Sequence, residues 1–238
     1  MAFKKLTAPS LTDLFVEEIK TMILTGQLAI GQKLPPERQL AEEMNVSLAV
    51  INAGINRLTA LGFIRVAPRK GIFVADYIRE GNIDTMMQIL AFSGHYINHE
   101  VLDPISNLRR SVETGAARLA CINRTDEQLA TMTTLLDQLS DERNLGLFPE
   151  LAFRFFHEVA IASGNPYYPM ISMSFKSVYQ IFFRIALTSR SEQMRIASEL
   201  RELYEAIRAG DADAAEHAVK TEIDAWLQRF EHSGKISK

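Results

Sequence analysis

The stretch "NVSLAVINAGINRL", residues 45–58, sets a serine in front of an apolar stripe. Ser47 has the side chain needed to cap a helix, accepting a backbone N–H of the first turn. Ile51, Ile55 and Leu58 follow at i, i+4 and i+7, so one face of that helix is built for burial. The opposite face presents Leu48, Ala49, Asn52, Ala53 and Asn56, with Arg57 as the segment's one charged residue. Gly54, in mid-helix, costs about 1 kcal/mol relative to alanine.

Working outward, apolar residues recur with helical spacing at positions 11, 14, 15, 19, 22 and 23, and Gly26 follows as a stop. Pro35-Pro36-Glu37 opens a second helix, with proline and an acid where a helix N-terminus accepts them. The third helix runs from Ser47 to about Ala60, and Gly62 ends it. "FIRVAP" and "GIFVAD" then read as two short strands around the turn "PRKG", a β-hairpin. Helix, helix, turn, helix and hairpin in this order is the pattern of a winged helix-turn-helix. From Asp84 onward no strand is convincing. Helical segments are expected at 84–94, 100–121, 126–141, 147–163, 168–188, 191–208 and 212–231. The fold class is therefore mainly α: a winged helix-turn-helix with a small β-hairpin wing over 1–76, a linker at 77–83, and an all-α bundle over 84–238.

Composition agrees with a soluble, globular chain. The 238 residues are 47% hydrophobic and 23% charged, with net charge −3. Residues 1–76 carry nine Lys+Arg against seven Asp+Glu, while the rest carries 17 against 22. A basic head on an acidic body is the sign expected of a nucleic-acid binder. The one cysteine, Cys121, excludes a disulfide framework and fits a reducing cytoplasm; its apolar setting reads as core packing rather than as a nucleophile. No apolar run approaches the roughly 18–20 residues that span a bilayer, so no membrane association is expected.

"GQKLPPERQLAEEMNVS", with "INRLTALGFIRVAPRKGIFV" after it, resembles the DNA-binding domain of GntR-type bacterial regulators. "FFHEVAIASGNPYY" and "LYEAIRAGDADAAEHAV" are similar to the FadR-like branch, so the resemblance covers about residues 8–231. It implies a cytoplasmic homodimer that binds operator DNA. A small acidic metabolite, a fatty acid or an acyl-CoA in the helical domain would tune that affinity. No enzyme is expected: no nucleophile–base pair, phosphate loop or paired catalytic carboxylates stand at a recognisable spacing.

The resemblance places a DNA-reading arginine at Arg38. Two further arginines expected in the recognition helix are Leu48 and Asn52 here. Asparagine pairs with adenine and apolar groups touch the thymine methyl, so the face predicts A·T-rich half-sites. Arg38, Arg57, Arg65, Arg69 and Lys70 are the phosphate-positioning candidates; Ser47, Ala49, Asn56 and Gly71 complete the contact set. The alternative is an effector-binding or interaction module whose DNA binding has become degenerate.

Many members of the branch hold a divalent metal with one aspartate and three histidines. The matching positions here are Phe153, His157, Leu200 and Glu222, so the resemblance implies a degenerate site and no bound metal. Glu222 lies on an apolar stripe with Ala215, Val219, Trp226 and Phe230, and its natural partner is His157; that pair either ties two helices or serves a ligand. Tyr179, on an aromatic helix at 175–187, lines the expected apolar tunnel. Arg109 and Arg184 are candidates for gripping an anion, against the plainer reading of helix-pair salt bridges. His95, His99, His217 and His232 share no ligand spacing and read as surface or linker residues.

Overall fold

A computed structural model describes residues 9–93, 99–141, 146–187 and 189–232. Its described residues form eleven helices and one two-stranded sheet, divided into two compact units, 1–92 and 93–238.

In the first unit, Ser10 starts α1 (Leu11–Leu24) with a full capping box: its hydroxyl accepts from Asp13, whose carboxylate returns to the Ser10 N–H. α2 (Glu37–Glu43) and α3 (Leu48–Ala60) meet through Asn45, which takes a left-handed φ of 51° that asparagine tolerates better than most residues. Ser47 caps α3 by accepting from the Val50 N–H. The expected stripe is the core: Ile51 and Leu58 are fully buried and Ile55 nearly so, packed with Phe15, Val16 and Ile19 of α1. Gly54 is the point of closest approach. A Cβ there would lie 2.2 Å from Phe15 Cδ1, so only glycine lets α1 and α3 pack this way.

The wing is β1 (Ile64–Ala67) against β2 (Gly71–Val74), antiparallel, with Ile64 opposite Val74. The loop before α2 joins it: the Leu34 N–H donates to Ile72 O and the Val74 N–H to Gln32 O, both at 2.9 Å. The expected linker at 77–83 does not end this unit. α4 (Ile83–Ser93) belongs to it as far as Phe92, and the second compact unit begins at Ser93, nine residues after the expected start at Asp84. Two polar side chains hold α4. Thr85 donates its hydroxyl to Leu61 O at 2.7 Å, and Gln88 accepts from the buried Lys20 ammonium at 2.8 Å.

The second unit is all helix: α5 (His99–Asn123), α6 (Asp126–Ser140), α7 (Phe148–Ala162), α8 (Tyr167–Ser174), α9 (Lys176–Ala186), α10 (Arg190–Ala209) and α11 (Ala212–His232). α11 packs along both α5 and α10, and α7 packs against α5, α6, α8 and α9. The single helix expected over 168–188 is two, broken at Phe175. α8 contributes no fully buried residue, so it lies over the bundle as a cover rather than inside it. Cys121 is core, as its context predicted, and burial pushes its thiol pKa up.

Candidate functional site

On the head, α3 turns Ser47, Leu48, Ala49, Asn52 and Asn56 outward, all exposed. They form a polar and apolar face without charge. Arg38, Arg69 and Lys70 are exposed too, the last two at the wing tip, where Arg69 takes a φ of 61° ahead of Gly71. Arg65 is exposed too, its guanidinium 5.1 Å from the centre of the Phe73 ring. Arg57 behaves differently from the expectation. It forms an ion pair with Asp13. Ser10 and Arg57 together bring the Asp13 carboxyl down to about 2. Arg57 is therefore engaged with α1 before any phosphate approaches.

In the bundle, a cavity of about 40 Å³ lies between α5, α7, α8 and α11. Its apolar wall includes Val112, Ala116, Phe156, Val159 and Ala160, and Tyr168, Ile171 and Phe175 close it from α8 and its end. Besides Ser172 and the Tyr168 hydroxyl, its polar wall is one cluster. Arg109, buried, donates to Glu113 through Nε at 2.7 Å and Nη2 at 3.1 Å, and to Glu222 through Nη2 at 2.8 Å. The Tyr179 hydroxyl donates to Glu113. The faces of Phe156, Tyr179 and Trp226 lie 5.1–5.7 Å from the same guanidinium. Burial works against charge on Arg109, but Glu113 and Glu222 hold its pKa well above the ordinary range. Burial pushes the Glu222 carboxyl upward, with Arg109 pulling against it. Burial and then Glu113 raise the Tyr179 phenol well above its usual value, so it stays a neutral donor.

The FCD-domain model matches residues 104–225, which is the bundle, and the model of bacterial regulatory proteins, gntR family, matches residues 12–74, the head. The chain belongs to the GntR family. Its relatives include the galactonate operon transcriptional repressor of Escherichia coli, 27% identical over 92% of this chain and 96% of that one. The fatty acid metabolism regulator protein of Klebsiella pneumoniae is 25% identical over 93% and 89%. Among solved structures, that of Lar, described as controlling the Listeria monocytogenes agr system, superposes with a TM-score of 0.63 at 16% identity, covering 95% of this chain and 99% of that chain. This GntR protein is thus a transcriptional regulator and not an enzyme, with a helix-turn-helix head and an effector-binding domain of the FCD type. Among the described residues no helix is long and apolar enough to cross a membrane.

The metal that the branch implies does not fit this regulator's donors. Phe153 and Leu200 are buried hydrocarbons, Glu222 is committed to Arg109, and among the described residues no three His, Cys, Asp or Glu come together in a metal-holding group. The expected His157–Glu222 pair is replaced. His157 shares a 3.2 Å hydrogen bond with Ser172 and stacks on Phe153, and burial followed by Lys176 lowers its pKa. Arg184 is exposed and does not line the cavity. Arg109 and Tyr179 do line the cavity; Phe153, Leu200 and His157 stand outside its lining. Sequence reasoning missed Glu113, although its position four residues after Arg109 is the spacing of a helical ion pair. It also missed Tyr168 and Ser172, for which no spacing gave a signal. His217 is exposed; His95 and the side chains of His99 and His232 lie outside the described residues.

Proposed function

We propose that this regulator binds a palindromic operator as a cytoplasmic homodimer, reading A·T-rich half-sites with Leu48, Asn52 and Asn56, and that a small molecule in the bundle cavity tunes the affinity. The observation that carries the reading is the α3 face, exposed and without charge at Leu48, Ala49, Asn52, Ala53 and Asn56, in a head that also exposes the cations of Arg38, Arg69 and Lys70. Asparagine supplies the paired donor and acceptor that adenine's major-groove edge matches, while the flanking cations hold phosphates without reading sequence. An effector shifts operator affinity only by binding the two conformations of the regulator unequally.

Selection of random duplexes on the purified protein, followed by titration at fixed salt, tests this. Recovered half-sites rich in A·T beneath α3, bound on the order of a thousand-fold more tightly than scrambled duplex, are the expected result. Guanine-dominated half-sites overturn the base preference. A second reading, an effector-binding protein with a weak DNA head, draws on the Arg57–Asp13 pair, which takes a cation out of α3. Equal affinity for selected and scrambled duplexes is its signature.

A further inference from the structure

The cavity's charges say what kind of molecule it can take. Its polar wall holds one guanidinium, and that guanidinium already serves two carboxylates, Glu113 on its own helix and Glu222 from α11. Its remaining surroundings are ring faces. A carboxylate or phosphate entering here would add a further acid to one cation that two carboxylates already share, and the excess negative charge would be buried. An uncharged ligand disturbs none of these pairs. Glu113 has about four lone-pair positions. Arg109 Nε, Arg109 Nη2 and the Tyr179 hydroxyl use three, which leaves one acceptor position for a ligand O–H or N–H. We infer that the cavity binds a small, uncharged, largely apolar molecule carrying one hydrogen-bond donor, and that it discriminates against carboxylates, phosphates and acyl-CoA.

The route in is under α8. At about 40 Å³ the cavity holds on the order of three waters as it stands, so a ring or short chain needs the cover to give. α8 buries no residue fully, and Tyr168 rests its hydroxyl against Gly115 of α5, where an added Cβ would lie 2.5 Å away. The inference rests on the proposal that this cavity is the effector site.

Trp226 is the chain's one tryptophan, and its ring lies 5.1 Å from the Arg109 guanidinium, so its emission reports on the cluster. The full-length protein is titrated with benzyl alcohol and phenylethanol, and with benzoate and phenylacetate. The expected result is a saturable change in emission with the alcohols and binding of the carboxylates at least about ten-fold weaker, a gap of 1.4 kcal/mol. Glu113→Gln frees Arg109 from one carboxylate and is expected to close that gap by strengthening carboxylate binding. Ala116→Leu fills the cavity and is expected to abolish the alcohol response in a protein whose melt is retained. Should either variant fail to fold, the native series decides alone. Carboxylates that bind native protein as tightly as the alcohols, or the absence of any saturable response, overturn the inference. Alcohols that bind without changing operator affinity leave the charge rule standing and remove the effector role. Carboxylates that bind and release the operator do the reverse.

Discussion

The head and the bundle handle charge in opposite ways. The head keeps its cross-helix ion pair, Arg57–Asp13, half-exposed to water, and Lys20, the one buried cation among its described residues, is met by Glu17 at 2.7 Å and Gln88 at 2.8 Å. The bundle encloses Arg109 with Glu113 and Glu222, and Arg229 with Glu192 and Glu199. It leaves Glu222 Oε1, Glu199 Oε2 and Arg229 Nη1 buried without a partner. An exposed pair contributes 1 kcal/mol or less, whereas a buried one stripped of a partner costs roughly 3–5 kcal/mol. The head is thus held by its apolar core, and the bundle is held by hydrocarbon around polar clusters that tolerate little change. A domain that must respond to a ligand is the one in which such sensitivity is useful.

Arg109→Met breaks this contrast hardest. It strands Glu113 and Glu222 in the interior, and a loss of about 3–5 kcal/mol in the bundle is expected, with the head's unfolding unchanged. Separate denaturation transitions for the two units check it; a loss below about 1 kcal/mol means the cluster is wet and the contrast false. Next comes Gly54→Ala. In an open helix this change gains about 1 kcal/mol, but here the new methyl meets Phe15, and a loss of about 1–3 kcal/mol in the head is expected, with weaker operator binding. A gain in urea midpoint would show that α1 and α3 can part cheaply.

Acid separates the units more gently. The folded-state pKa of His157 lies below its ordinary 6.5, so the unfolded chain binds the extra proton first. Stability from this site is complete above that value and declines as pH falls through it. His157→Gln is expected to flatten the bundle's stability curve there, read from thermal melts across the range. The smallest effect lies on the head. Asp13 titrates at about 2 against an ordinary 3.8, so its contribution is present above 3.8 and is lost as pH falls toward 2. A carboxyl shift followed by NMR reads it directly, and Arg57→Ala is expected to move that midpoint back up.

Much of the head was legible because its signals are local. Ser47 caps, the Ile51–Ile55–Leu58 stripe and the "PRKG" turn each act within a few residues, and the structure has all three. Gly54 was legible only as a cost, because its reason is Phe15 on another helix. In the bundle, of the two arginines expected to grip an anion, Arg109 faces the cavity and Arg184 is exposed to water. Periodicity defines a face and leaves the rotation of the helix to tertiary packing. The partner of Glu222 was misjudged for the same reason: burial demanded a partner and His157 was the one expected, whereas Arg109 on α5 supplies it. The break at Phe175 had no glycine or proline to announce it.

The placement of α4 has a practical consequence for anyone dissecting this protein. A fragment cut after the wing, at 76, would leave the Lys20 ammonium buried without Gln88 and the Leu61 carbonyl without Thr85. The compact head ends at Phe92, so a fragment meant to keep the head's contacts should include α4 and close there, not at the expected linker before α4.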